Sequence, residues 1–269
     1  MIKKRKVGSI WNEKQINNEF ATEMLNNLLA YGKIFDYPKS LFFLKKIISI
    51  GMGDKGIVLD FFSGSSTTAH AVMKQNAEDG GNRKFIMVQL PEKTDENSEA
   101  YKAGYENLCE IGKERIRRAG KQIKKDMESK GKDASKLDTG FKVFKLDDTN
   151  IKEWDSSVEV TKQSLLDHLD VIKEDRNEED VLYETLLKYG VFDKPVKEIS
   201  LNHKTVYDVG EGYMIVTLND EIGFEDVKAI GEKKPHVVIF KESGFEDDNA
   251  KINALHTLDK MGVEDVKSI

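Results

Sequence analysis

The sequence predicts an α/β protein in two parts: a parallel-sheet domain, then a smaller α/β domain. Three observations lead there. The stretches "GIVLDFF" (Gly56 to Phe62) and "GNRKFIMVQL" (Gly81 to Leu90) are apolar runs bounded by turn residues, the pattern of strands buried on both faces of a parallel sheet. Between them, the residues from about Ser66 through "AHAVMKQNA" read as a helix, which completes a βαβ unit. The polar run "ESKGKDASKLDTG" (Glu128 to Gly140) then reads as a linker to a part of different character. The expected organisation is residues 1–127, a linker over 128–140, and a second domain over 141–269.

The elements follow in order. Asn18 to Tyr31 places Phe20, Met24, Leu25, Leu28 and Leu29 at helical spacing, with Gly32 as a stop. A second helix is expected to begin near Pro38, a residue favoured in the first turn, and to end at Gly51. After the βαβ unit, Glu92 to Ala103 is polar and loop-like. "YENLCEIGKERIRRAGKQIKKDM" (Tyr105 to Met127) is a long, basic, amphipathic helix. Past the linker, "FKVFKL" (Phe141 to Leu146) alternates as a strand. "VTKQSLLDHLDVI" (Val160 to Ile172) and "NEEDVLYETLLKYG" (Asn177 to Gly190) read as helices. "TVYDVGEGYMIVTL" (Thr205 to Leu218) reads as a hairpin across Gly210-Glu211-Gly212. The remainder alternates helix, strand and helix and ends in a short strand.

Composition narrows the function classes. The chain has 269 residues, 39% of them apolar, enough for a sizeable core in two parts. Its net charge of -6 excludes a bulk basic footprint for nucleic acid, while local basic patches remain. Cys109 is the single cysteine, so no intrachain disulfide and no cysteine-built zinc site can form. His168, His203, His236 and His256 are scattered without ligand spacing, so no metal site is expected. The basic start "MIKKRKVGSIW" is followed by no apolar stretch, and no window approaches the length of a membrane span. A soluble, cytoplasmic protein is expected.

The stretch "LDFFSGSSTTAHAV" (Leu59 to Val72) carries the chemistry. Asp60 falls at the carboxyl end of a strand, the edge where open parallel sheets bind ligands. Gly64 can take backbone angles closed to other residues. Ser65 to Thr68 fall at a helix N-terminus, where free N–H groups and the helix dipole favour a carboxylate or phosphate. A P-loop is poorly supported, because no lysine lies between Lys55 and Lys74. The three-glycine dinucleotide spacing is missing too. A well-capped turn that holds no ligand would read the same way.

These residues closely resemble the cofactor loop of S-adenosylmethionine-dependent DNA amino-methyltransferases, and more narrowly that of type III restriction-modification modification subunits. Three further stretches agree in the same order: "GSIW" (Gly8 to Trp11), "FDYPKS" (Phe35 to Ser40), and "RKFIMVQLPE" followed by "SEAYKAGYENLCEIGKERIRRAG". The resemblance is strong from Gly8 to about Ile123 and weaker from Phe141 to the end. It implies a partial Rossmann-like methyltransferase sheet with a second, smaller α/β domain. It implies that Asp60, Phe61, Phe62, Gly64, Ser65, Thr67 and Thr68 line the methionine half of S-adenosylmethionine. Phe35, Asp36, Tyr37, Pro38 and Lys39 would approach the same half, Lys39 close to the carboxylate. Gln89 or Glu92 would take the ribose hydroxyls. Ser66 stands where the family has a second glycine, and Ser40 where it has a proline. If the loop needs a positive φ at Ser66, the serine costs about 1 kcal/mol or more.

Amino-methyltransferases also need Asp/Asn-Pro-Pro-Tyr/Phe to hold the flipped base. The four prolines, Pro38, Pro91, Pro195 and Pro235, are never adjacent. No catalytic residue is therefore assigned. The resemblance implies the C-terminal half of a modification subunit, one that needs the missing half from another polypeptide to methylate adenine N6 in DNA. Its second domain would serve homodimerisation or docking to a restriction subunit. The competing reading is a non-catalytic interaction protein with a vestigial loop. The run Lys113, Arg115, Arg117, Arg118, Lys121, Lys124 and Lys125 reads as a solvated face or a phosphate contact, and His70 as a packing residue.

Overall fold

The computed structural model describes residues 8, 10–152 and 171–269, which form two compact units, Met1–Phe144 and Lys145–Ile269. In the first unit, α1 (Asn18–Leu29) starts where the Asn17 side chain accepts from the Phe20 N–H, and it stops at Ala30 in the left-handed region. Helix α2 (Leu41–Gly51) begins later than Pro38 suggested. Pro38 lies before the helix, and the Ser40 side chain caps it by accepting from the Phe43 N–H. The serine that departs from the family pattern is thus a helix cap; its hydroxyl also donates to the Gln15 carbonyl at 2.6 Å.

Strands β1 (Lys55–Asp60) and β2 (Asn82–Met87) pair in parallel, Leu59 opposite Ile86 and Asp60 opposite Met87. Helix α3 (Thr67–Asp79) crosses between them and ends at Gly80, whose positive φ closes the helix. A short α4 (Glu99–Lys102) interrupts the segment expected to be loop, because Ser98 caps it. Helix α5 (Leu108–Glu128) is capped by Asn107 and buries Ile111, Arg115, Ile116, Ala119 and Ile123. One face of the sheet packs on these helices: Val58 and Phe85 on Leu41, Ile48 and Val72, and Met87 on Met73 and Ile116.

The other face differs from expectation. Ile57 is 52% exposed and Leu59 58%, and Ile86, Val88 and Leu90 are exposed as well. The two strands are buried on one face only, because no described helix of this unit covers the second. Leu137 and Phe141, from the stretch around the expected linker, pack instead against α5.

The second unit begins within "FKVFKL", which forms no strand with any described residue: Val143 and Leu146 face solvent. The helix expected over Val160 to Ile172 lies almost wholly outside the described residues, as does Trp154. Helix α6 (Glu178–Lys188) is capped by Asn177. Strands β3 (Val196–Leu201), β4 (Lys204–Val209), β5 (Met214–Thr217), β6 (Val237–Phe240) and β7 (Asp265–Ser268) form one sheet in that order. The first pairings, β3–β4 and β4–β5, are antiparallel; β5–β6 and β6–β7 are parallel. The β4–β5 hairpin turns across Gly210, Glu211 and Gly212, all at positive φ. Asn202 and His203 make a second such turn, before β4. Helices α7 (Phe224–Glu232) and α8 (Asp248–Lys260) cover one face through Val227, Ile230, Ala254 and Leu258. Val181, Leu182 and Leu186 of α6 cover the other. Here β5 and β6 are buried throughout, as strands of a two-sided sheet are.

The one-sided sheet of the first unit makes a direct prediction. Leu59→Ser should change stability by no more than about 0.5 kcal/mol, against roughly 2–5 kcal/mol for truncating a core leucine. Urea unfolding of the full chain measures it, and a core-sized loss would contradict the exposed face.

Candidate functional site

The carboxyl end of β1 runs into a turn stitched to the continuation of β2. The Val88 N–H donates to the Asp60 carbonyl at 2.9 Å, and the Ser63 N–H donates to the Val88 carbonyl at 3.1 Å. Gly64 has φ +50°, and its N–H donates to Gln89 Oε1 at 2.7 Å. A Cβ on Gly64 would lie 3.2 Å from Phe35 Cζ, so the "FDYPKS" element reaches the turn through the Phe35 ring. Ser66 sits at φ +56° and ψ +40°, the conformation that disfavours a side chain. It is held by an N–H bond to the Ser63 carbonyl at 2.7 Å and by close packing on Gly112 of α5. A Cβ at Gly112 would stand 2.6 Å from Ser66 Oγ, so a glycine is needed there for α5 to approach.

The side chains of the turn are engaged inward. Thr68 Oγ1 donates to Asp60 Oδ2 at 2.5 Å, and the other carboxylate oxygen accepts from the Phe62 N–H. Arg115 Nη1 donates to Ser65 Oγ at 2.9 Å and to Thr67 Oγ1 at 2.5 Å. Arg115 is only 1% exposed and forms no ion pair with any described carboxylate. Burial draws its guanidinium down to about 9, so it remains cationic at neutral pH. The N–H groups of Ser65, Thr67, Thr68 and Ala69 donate to no described protein acceptor. They are the open donors of a helix N-terminus, and with the dipole they favour an anion. His70, one turn on, is buried with Nδ1 unpaired. Burial first, then the charges of Arg115, Lys74 and Lys45, push it down to about 3, so it is neutral.

Phe35, Asp60, Gly64, Ser65, Thr67, Thr68 and Gln89 therefore meet at one turn. Phe61 and Phe62 lie beside it with exposed rings. Gln89 is committed to the turn: its amide also donates to the Leu90 carbonyl. Glu92 is exposed. Pro38 is buried, Lys39 exposed, Tyr37 exposed at φ +53°, and Asp36 is paired with Lys33 at 2.5 Å. The basic run on α5 divides. Arg115 is internal, Arg118 binds Glu114 and the Leu29 carbonyl, and Lys113 pairs with Glu110. Arg115 and Gly112 are the site residues that sequence reasoning missed. Their signal was spacing, since Arg115 falls four residues from both Ile111 and Ala119 on the buried stripe of α5.

A parallel βαβ unit with a small-residue turn at the strand's carboxyl end is a Rossmann-like arrangement, and residues 1–119 match the N6/N4 DNA methylase family. The chain is 42% identical over 135 residues to the StyLTI Mod subunit of a type III restriction-modification enzyme from Salmonella typhimurium, covering 50% of this chain and 20% of that protein. It is 30% identical over 251 residues to the EcoPI Mod subunit of Escherichia phage P1, covering 90% of this chain and 37% of that protein. The EcoP15I Mod subunit of Escherichia coli is 30% identical over 223 residues, covering 79% and 32%. Residues 1–119 are thus similar to a DNA methylase family, and the chain is similar to type III modification subunits over the stretches that match. It spans between 20% and 37% of the length of these relatives. Among the described residues, no helix is long and apolar enough to cross a membrane.

Two predictions come from this geometry. Ser66→Gly should stabilise the chain by about 1 kcal/mol, because a left-handed residue no longer carries a Cβ; thermal unfolding measures it. His70 binds fewer protons folded than unfolded between its ordinary 6.5 and about 3. Stability is therefore fully present above pH 6.5 and falls as the pH drops through that window. The loss at pH 5 should be on the order of 2 kcal/mol. Denaturant titrations at pH 7.5 and pH 5 should show this slope, and His70→Gln should flatten it.

Proposed function

We propose that this chain is the cofactor-binding portion of a site-specific DNA adenine-N6 methyltransferase of the type III modification kind. The observation that carries the reading is the turn from Asp60 to Thr68. It combines a positive-φ glycine, open helix N–H groups and a buried cation, and it suits the carboxylate of S-adenosylmethionine. Gly64, Ser65, Thr67 and Thr68 would hold the methionine half, with Asp60, Phe61 and Phe62 beside them. Phe35, Asp36, Tyr37, Pro38 and Lys39 would close over it from the preceding element. Glu92 offers a free carboxylate for the ribose hydroxyls, while Gln89 shapes the turn. S-adenosylmethionine, when bound, supplies the activated methyl group.

Residues 1–127 would then be the partial methyltransferase domain. The motif that holds the target base has no counterpart in this sequence, whose four prolines are never adjacent. We infer that the complete enzyme draws that motif and its DNA recognition from a complementing segment. The exposed face of β1 and β2 supports this, because parallel strands are normally covered on both sides. Residues 141–269 would serve association, as a homodimer or with a restriction subunit.

Calorimetric titration of the purified chain with S-adenosylmethionine tests the reading. One saturable site is expected, and Gly64→Val should weaken it by about tenfold or more, since the new side chain meets both a positive φ and the Phe35 ring. No binding by a chain shown to be folded would leave the non-catalytic interaction reading in its place.

A further inference from the structure

The way Arg115 is held has no structural reason if its only task is to join α5 to the turn. Buried charges in proteins are paired, because an unpaired one carries the full cost of leaving water. Arg83, in the same unit, follows the rule: Nη1 and Nη2 each bond a carboxylate oxygen of Asp79, at 3.0 and 2.8 Å. Arg115 does not. It is more deeply buried than Arg83, and its hydrogen-bond partners among the described residues are two neutral hydroxyls; Nε is buried without a partner in both arginines. His70 on α3, which feels the charge of Arg115, brings no negative charge. Arg115 also occupies the apolar stripe of α5, where a methionine would fill the space without desolvating a charge.

The two hydroxyls supply the direction. A guanidinium only donates, so Ser65 Oγ and Thr67 Oγ1 each spend a lone pair on Nη1 and keep their own O–H hydrogen to donate elsewhere. A hydroxyl that accepts from a cation is a stronger donor in its turn. Both residues lie at the N-terminus of α3, beside the open N–H groups of Thr67, Thr68 and Ala69. Charge, hydroxyl donors and helix dipole thus favour negative charge at one place, and the Asp60 carboxylate at the same turn is bonded to Thr68 Oγ1 and the Phe62 N–H, not to Arg115, Ser65 or Thr67.

We propose that Arg115 is a positioning residue that makes the Gly64–Thr68 turn selective for a carboxylate, acting through Ser65 and Thr67, with the ligand's carboxylate as its counter-ion. This rests on the cofactor reading above and names the ligand group that the turn selects. Arg115 does not touch the ligand; it orients the two hydroxyls that do.

The test compares two ligands on the full chain: S-adenosylmethionine, and its decarboxylated form, which keeps the adenosine and the sulfonium. Arg115→Met should weaken S-adenosylmethionine by about tenfold or more and change the decarboxylated ligand by less than about threefold. Arg115→Lys, which keeps the charge, should recover part of the loss. If Arg115→Met folds poorly, Thr67→Val with Ser65→Ala keeps the cation and cuts the relay, and it should give the same carboxylate-specific loss. Equal weakening of both ligands would mean that Arg115 only braces the turn, and would overturn the proposal while leaving the cofactor reading intact. Unchanged binding of S-adenosylmethionine by Arg115→Met would do the same. A wild-type chain that binds neither ligand would sink the cofactor reading and this proposal with it.

Discussion

The approach of α5 to the β1–α3 turn is the constraint on which the first unit depends. Gly112 leaves room for Ser66 Oγ, and Arg115 reaches past it to Ser65 and Thr67. These contacts hold Ser66 at a positive φ that a free loop would not keep. They also fix the direction of the first turn of α3, and with it the open N–H groups. The same approach carries Ile116 and Ala119 onto Ala69 and Met73, so core and site share one helix pairing. A larger residue at position 112 would separate α5 from the turn and disturb both together.

The two sheets show how cover decides what a strand becomes. In the second unit α6 lies on one face and α7 and α8 on the other, and β5 and β6 are fully buried between them. In the first unit the helices gather on one side, and Ile57, Leu59, Ile86 and Val88 stand in solvent with side chains suited to a core. Apolar residues in alternation on a parallel pair are an exposed patch of the kind that marks a contact surface.

Polar groups in the turn are satisfied inward and leave the backbone open outward. Asp60 ties Thr68, Gln89 ties Gly64, and Arg115 ties Ser65 and Thr67. Side chains that look like ligand donors in the sequence thus also brace the turn that presents the backbone N–H groups, and Ser65 and Thr67, which accept from Arg115, keep their O–H hydrogens to donate. Rigid presentation of this sort lowers the ordering cost of binding, since little remains to be fixed when a ligand arrives.

The sequence by itself determined the local elements. Apolar periodicity and caps set α1, α3, α5 and α6, and the paired glycines set the β4–β5 hairpin. The cofactor turn was legible too, because strand, small residues and helix follow without interruption from Leu59 to Val72. What it could not determine was which partner each face meets. "FKVFKL" alternates as a strand should, yet it forms no strand with any described residue. The β1 and β2 runs read as doubly buried, yet only one face found helices. Arg115 read as one charge in a basic run, and only the packing of α5 on the turn made it a buried cation facing two hydroxyls. Local propensity acts between residues a few positions apart. Burial and charge pairing depend on contacts between segments distant in the chain, such as Ser65 and Arg115, and only the tertiary structure decides those.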